Sequence, residues 1–234
     1  MENLKEFDAI QYKRGITKEG KELVIVDEKA QIKINNDITH SLSVINDSMK
    51  EFITGYMFSE GMIKSIDDII ALKIDGCEIE AEINLNKNYN NQSNLKSLES
   101  NLTVTKDEIL EKMEGLREKA LRWEATGGAH VAGIVCGDKF IVKEDVSRHV
   151  AVDKVIGYGI LNNFDLNECY IIYSGRMPAN MVKKLANNNI PLLASNAAPM
   201  ASGIDYGKKS NVTLVGFLRG KRFNVYTNPE RILF

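Results

Sequence analysis

From Thr126 to its C-terminus the chain alternates short apolar runs with stretches of helical spacing, and this alternation limits the fold more than any other feature. "AGIVC" and "KFIVKE" read as strands joined by Gly137-Asp138, followed by a helix from about His149 to Leu161 and the strand "CYIIYS". Pro178 suits a first helical position, with Met181, Val182 and Leu185 behind it on one face. The strand "IPLLAS", a short helix around Ala201 to Lys208, and the strands "VTLVGFL" and "RFNVYT" complete the series. Strands apolar on both faces need cover on both sides, so the pattern predicts an α/β sheet packed between helices.

Ahead of this region, from Phe7 to about Leu85, the runs are short and alternate polar with apolar residues: "ELVIVDE", "AQIKIN", "HSLSVI", "IIALKI" and "CEIEAEINL". A period of two is the mark of strands with one buried face. Asp75-Gly76 predicts a hairpin with positive φ at both turn positions. One helix interrupts the strands, beginning near Asp47, with Met49, Phe52, Ile53, Tyr56 and Met57 on one face and an end at Glu60-Gly61, where glycine takes the left-handed cap. Residues 86–104, rich in Asn and Ser, read as a linker or active-site loop. The expected organisation is a β-rich domain over 1–85, this loop, and an α/β domain over 105–234. Thr105 and Glu108 form a capping box for a helix carrying Ile109, Met113, Leu116 and Ala120.

Thirty Lys and Arg against thirty-two Asp and Glu leave a net charge of -2 over 234 residues. No global basic field draws such a chain onto nucleic acid or an anionic membrane, so any anionic ligand must meet a local patch. Cys77, Cys136 and Cys169 are far apart and none belongs to a CxxC, which argues against a disulfide framework and against a cysteine-rich zinc site. No segment approaches roughly eighteen apolar residues, and the N-terminus lacks a signal-peptide core. A reduced, soluble, cytoplasmic protein is expected.

Five clusters at strand ends of the second region carry the chemistry, since open α/β sheets hold ligands there. In "TGGAH", Thr126, Gly127 and Gly128 let backbone pass close to a ligand and offer bare N–H donors, with His130 two residues on. A plain structural turn is the competing reading. "EDVSRHVAVDK" crowds Arg148, His149, Asp153 and Lys154 beside Ser147, a candidate helix cap; the alternative is a capped helix whose charges tie segments together. "SGRMP" sets Ser174, Gly175 and Arg176 before a helix, where an arginine opposes the dipole unless an anion or carboxylate joins it. "SNAAPM" is the fourth. In "GFLRGKRFNVYT", Phe217, Leu218, Arg219, Gly220, Lys221 and Arg222, with Phe223, could supply cations for phosphates and an aromatic face for a base or pterin. A solvated basic hairpin is the other reading.

With "GYMFSEGMIKSIDDI" ahead of them, "TGGAH", "SRHVAVDK", "SGR", "AAP" and "GFLRGKRFNVYTNPERI" in this order resemble the FdhD/NarQ family of formate dehydrogenase accessory sulfur carriers over nearly the whole chain. The resemblance implies a cytidine-deaminase-like, three-layer α/β domain with a smaller β-rich N-terminal part, and a homodimer. It also implies sulfur received from a cysteine desulfurase and passed to molybdenum cofactor, as bis(molybdopterin guanine dinucleotide), before insertion into formate dehydrogenase. The segment from Phe217 to Arg222 would contact the guanine dinucleotide, for which GDP is a surrogate.

The chain departs from the family pattern where sulfur would be carried. The stretch "SNLKSLESNLTVTKDE" holds no cysteine in place of the family's CxxC, and persulfide transfer needs an accessible, activated thiolate. Cys136 is the nearest substitute, lying six residues beyond His130. Smaller departures are Ser147, Val150 and Met200. Loss of sulfur transfer would leave a cofactor-binding chaperone, and an unrelated guanine-nucleotide-binding module is a further alternative. Zinc-dependent deamination is excluded, because His130 is followed by Val131 and Ala132 instead of a glutamate and no PCxxC is present.

Overall fold

The computed structural model describes residues 2–89 and 97–234. The chain opens with an antiparallel ribbon, β1 (Leu4–Lys13) and β2 (Ile16–Ile25), which forms a sheet by itself. Sequence reasoning took only its end as strand, because apolar residues such as Phe7, Ile10, Tyr12 and Ile16 stay exposed on both of its faces. Then come β3 (Glu28–Ile34), β4 (Ile38–Val44), helix α1 (Met49–Ser59), β5 (Ile69–Asp75) and β6 (Glu78–Ile83). The four strands form one sheet in the order β4-β3-β6-β5. Alternation decides its faces: Ala30, Ile32, Ile34, Ile79, Ala81 and Ile83 turn inward onto Phe52, Ile53, Tyr56 and Met57 of α1, as the period predicts. Gly61 takes φ +76° after that helix. In the β5–β6 turn only Gly76 has positive φ, because Asp75 is still strand and pairs with Glu78.

Within the Asn-rich stretch, 90–96 lies outside the described residues. Leu98 beyond it is buried, its N–H donating to Ser210 O at 3.0 Å, so this end of the predicted loop runs along the second region. Next come β7 (Val104–Thr105), α2 (Lys106–Glu118) and α3 (Leu121–Thr126), a six-residue helix too short to leave a periodic signal. The expected stripe is in place, with Ile109, Met113, Leu116 and Ala120 buried. The capping box is half formed: Thr105 Oγ1 accepts from Glu108 N–H at 3.1 Å, while Glu108 Oε1 accepts from the Tyr170 hydroxyl at 2.8 Å.

The remaining elements are β8 (His130–Cys136), β9 (Lys139–Asp145), α4 (Arg148–Leu161), β10 (Cys169–Tyr173), α5 (Ala179–Asn187), β11 (Leu192–Ser195), α6 (Ala201–Ser210), β12 (Thr213–Arg219), β13 (Arg222–Thr227) and β14 (Ile232–Leu233). Pro178 precedes α5 as its N-cap and is not its first helical residue. Ser147 is the N-cap of α4 but makes no side-chain capping bond; its N–H donates to Asp145 Oδ1 at 3.0 Å. Six strands form a mixed sheet, β13-β12-β11-β10-β8-β9, with β10, β11 and β12 parallel. Ile171, Tyr173 and Leu193 face α4 and α5, while Tyr170, Ile172, Leu192 and Ala194 face α2. This is the three-layer α/β, cytidine-deaminase-like arrangement, with the smaller β-rich part packed against it through α1 and α4.

At that crossing Gly55 and Gly157 bring two backbones together: a Cβ on Gly157 would stand 1.8 Å from Glu51 O, and one on Gly55 1.9 Å from Asp153 O. Cys136 and Cys169 form a disulfide. This corrects the expectation of three unpaired thiols. The two are 33 residues apart, but β8 and β10 are antiparallel and set them directly opposite. No helix among the described residues is long and apolar enough to cross a membrane.

Candidate functional site

Because β8 runs antiparallel to β10 and β9 antiparallel to β8, the start of β8 and the end of β9 share an edge with the C-terminal ends of β10, β11 and β12. Each of the five sequence clusters therefore has part of its length along one ledge. With strands roughly 4.8 Å apart, it spans about 14 Å from β8 to β12.

At its centre His130 Nδ1 lies 3.2 Å from Ser174 Oγ, which also accepts the Val131 N–H at 3.0 Å. Ser174 N–H donates to Val131 O at 2.9 Å, closing the seam between the two strand ends. Gly175 follows, and its lack of a side chain has a steric reason: a Cβ there would meet the Tyr173 ring at 2.6 Å and Arg148 Cδ at 3.1 Å. The glycine thus leaves room for the Arg148 side chain at the strand end. Arg148 Nε is buried without a hydrogen-bond partner among the described residues. It sits at the first residue of α4, where the dipole disfavours a cation.

His149 is half-buried beside it. Burial, then the Lys184 and Arg148 cations, push its imidazole down to about 4, against the opposing pull of Glu60. Burial and then Arg148 also lower His130. Arg176 is exposed at the end of β10, and the Tyr173 hydroxyl donates to its carbonyl. Ser195 Oγ donates to Gly175 O at 2.6 Å and accepts the Ala197 N–H at 3.0 Å, fastening the third strand end to the second.

At the far end, Arg219 Nε donates to Asn196 O at 2.8 Å and its guanidinium lies 6.0 Å from the Phe217 ring centre. Phe217 has φ +55°, a conformation uncommon for a bulky side chain, inside a register shift between Gly216 and Arg219. Its N–H donates to Ala197 O at 3.0 Å, so the irregularity joins β12 to the Ser195–Pro199 loop.

Several predicted site residues stand elsewhere or contribute differently. The Leu218 side chain is buried in the core against the α2 layer, so only its backbone faces the ledge. Gly220, at φ +57°, and Lys221 form the β12–β13 turn. With Arg222 they line a cleft of about 980 Å³ against Lys106, Glu111 and Arg117 of α2, which divides the basic cluster between two surfaces. The glycine turn does not offer bare donors: Gly127 N–H donates to Trp123 O at 2.7 Å and Gly128 N–H to Thr126 Oγ1 at 3.0 Å. Thr126 in turn donates to Arg122 O at 2.7 Å.

Asp153 and Lys154 are buried in ion pairs. Lys154 Nζ lies 2.9 Å from Asp145 and 2.8 Å from Asp47, whose other oxygen lies 2.7 Å from Arg122. Lys184 bonds Asp153 at 3.0 Å and Glu60 at 2.9 Å. Burial lifts the Asp153 carboxyl against the pull of Lys184. Burial pulls the Lys184 ammonium down, but the Asp153 and Glu60 carboxylates outweigh it and hold it charged. Glu60 and Lys184 are the charged neighbours of His149 that sequence reasoning missed; nothing in their local sequence marks either one.

Cys136 lies at the opposite end of β8 from His130, six strand residues or roughly 20 Å away. Cys77 is the free cysteine, its thiol pushed up to about 11 by burial and by Glu28.

The ledge defines an α/β protein with arginines and histidines gathered at one edge of its sheet, and comparison with known proteins gives its family. The FdhD/NarQ family model matches residues 25–98 and 76–233. A protein of Methanothermobacter thermautotrophicus named sulfur carrier protein FdhD is 40% identical over 228 residues, covering 91% of this chain and 92% of that one. Protein FdhD of Methanocaldococcus jannaschii is 37% identical over 207 residues, covering 88% of each. A crystal structure from Desulfotalea psychrophila, titled as a formate dehydrogenase accessory protein, superposes with a TM-score of 0.85 at 26% identity, covering 98% of this chain and 99% of that one. The chain belongs to the FdhD/NarQ family.

Proposed function

We propose that this chain is a formate dehydrogenase accessory protein whose ledge receives the phosphate and guanine end of bis(molybdopterin guanine dinucleotide), the molybdenum cofactor that it delivers as cargo. The observation that carries the reading is the buried, unpartnered Arg148 Nε beside Gly175, at an edge that also gathers His130, Arg176 and Arg219. A buried guanidinium donor left without a partner costs stability, and a bound phosphate oxygen would satisfy it. The positive-φ bulge at Phe217 and the bond to Asn196 O turn Arg219 back along the same edge. His130 and Ser174 present hydrogen-bonding groups on the same ledge.

Calorimetry with GDP and ADP tests the reading. GDP is expected to bind in preference, and Arg219→Ala to weaken it by about 1.5–3 kcal/mol, the scale of a charge-assisted hydrogen bond. Equal affinity for ADP, or an unchanged Kd in the variant, removes guanine selectivity or Arg219 from the account.

Whether sulfur travels with the cofactor divides the reading in two. Family membership favours a carrier supplied by a cysteine desulfurase. The chain's own cysteines favour delivery without sulfur: Cys136 and Cys169 are bonded at the far end of the sheet, and the Cys77 thiol is held protonated. Incubation with a cysteine desulfurase and cysteine, followed by alkylation and mass spectrometry, decides. A persulfide on any of the three restores the carrier role, and none leaves cofactor delivery alone. A homodimer is part of the family reading, and sedimentation of the full chain tests it.

A further inference from the structure

Two of the chain's three histidines share one crowded, cation-rich corner of the ledge. His130, from β8, faces Ser174 at the end of β10 and Arg148 at the start of α4. His149 follows Arg148 at the start of α4, and the charges of Lys184 of α5, Arg148 and Glu60 just beyond α1 act on its ring. Glu60 is the only carboxylate among these groups, and it is already bonded to Lys184, whose other partner is Asp153. Lys184 is thereby offset by two carboxylates, which leaves Arg148 as the cation without a carboxylate partner among the described residues. Adding a proton to either imidazole would set another cation against Arg148 in a poorly solvated space.

An anion arriving at Arg148 reverses that balance. It neutralises the guanidinium, supplies acceptor oxygens, and makes a charged imidazole the favoured form. Ser174 can serve both protonation states. Its Oγ accepts from the Val131 N–H throughout, and its own proton can point to a neutral His130 Nδ1 or turn away when that nitrogen becomes a donor. We propose that ligand binding at this ledge is proton-coupled: His130 and His149 take up protons from solvent as a diphosphate settles against Arg148. The inference rests on the reading that this edge receives the diphosphate of the cofactor, and it adds how pH sets loading and release.

The directions already noted for the two imidazoles agree, since burial and the Arg148 cation shift both toward the neutral form in the free protein. The bound state then holds more protons than the free state, so affinity rises as pH falls. Release is favoured toward neutral and alkaline pH.

The probe should not titrate in the same range. P1,P2-di(guanosine-5′) diphosphate serves, because its bridging phosphates are diesters and keep a fixed charge. Calorimetry of the full chain from pH 5.5 to 7.5, in buffers of different ionisation enthalpy, reads proton uptake directly. The expected result is net uptake approaching about one proton at the acid end, with Kd about tenfold lower at pH 5.5 than at 7.5. His130→Gln and His149→Gln should each reduce the uptake. Proton NMR of the histidine rings in the unaltered chain gives a second measurement that does not depend on the variants folding, and two ring pKa values should rise on binding. Binding with no proton exchange and unmoved rings overturns the inference and leaves the site reading standing. No binding at any pH removes both.

Discussion

Gly157→Ala places a methyl group where the structure has none to spare. In an open helix the change would be favourable by about 0.8–1 kcal/mol, since alanine has the better propensity. At this crossing the new Cβ would lie 1.8 Å from Glu51 O and 2.8 Å from Gly55 N, and both obstacles are backbone atoms that cannot rotate aside. Helices α1 and α4 would have to part by roughly 1 Å or more, and overpacking on that scale costs about 1–3 kcal/mol or more. Parting them also pulls Val150 of α4 from the cluster it shares with Phe52 and Ile53. With the propensity gain subtracted from the upper part of that range, the net loss is about 2 kcal/mol, or about 4–8 °C in Tm for a chain of this size. Urea unfolding followed by far-UV circular dichroism, with a thermal melt, measures it. Gly115→Ala in α2 is the control, because its Cβ meets only the edge of the Phe140 ring, at 3.3 Å. A Gly157→Ala protein as stable as the wild type, or matching the control, would refute the close crossing.

Lys154→Met should destabilise by about 3–5 kcal/mol in urea unfolding, because it strands the buried Asp145 and half of the Asp47 pairing without a cation. Thiol titration in denaturant is expected to find one reactive cysteine, Cys77, before reduction and three after it; three at the outset would remove the Cys136–Cys169 bond. His149 is pushed to about 4 in the folded chain against about 6.5 unfolded, so the unfolded state binds the extra proton. Its contribution to stability is present above pH 6.5 and lost as pH falls toward 4, and His149→Gln should flatten that part of a Tm–pH curve.

The legible and the illegible parts of this chain differ in the range over which their causes act. Ile79, Ala81 and Ile83 alternate with three glutamates, so their inward face follows from neighbours alone, and the continuous apolar runs at β10 and β11 announce a sheet covered twice. The ledge was equally readable as a location, since parallel strands joined by helices must end at a common edge. What each charge does there was not. Asp153 and Lys154 stand in the same crowded stretch as Arg148 and His149, yet the helix turns them onto Lys184, Asp47 and Asp145. Lys184 and Asp47 lie 31 and 107 residues away along the chain from the groups they meet. A periodic pattern assigns a face to a residue and cannot name the counter-charge waiting on it. The cysteine pair was hidden for the same reason, since Cys136 and Cys169 become neighbours only through the antiparallel register of β8 and β10.

That register also bears on sulfur transfer at the ledge proposed for the cofactor. A persulfide hands over its outer sulfur only in contact with the acceptor, and the bonded pair sits about 20 Å down the sheet, beyond the reach of any side-chain movement. Cys77 lies in the turn of the β-rich part with its thiol pushed up to about 11, so the thiolate that must attack a donor is scarce near neutral pH. Sulfur delivered by this chain alone would therefore need the Cys77 hairpin to move to the ledge and shed its burial there. A protein that receives an already sulfurated cofactor needs neither, and the ledge would then act through charge and shape only.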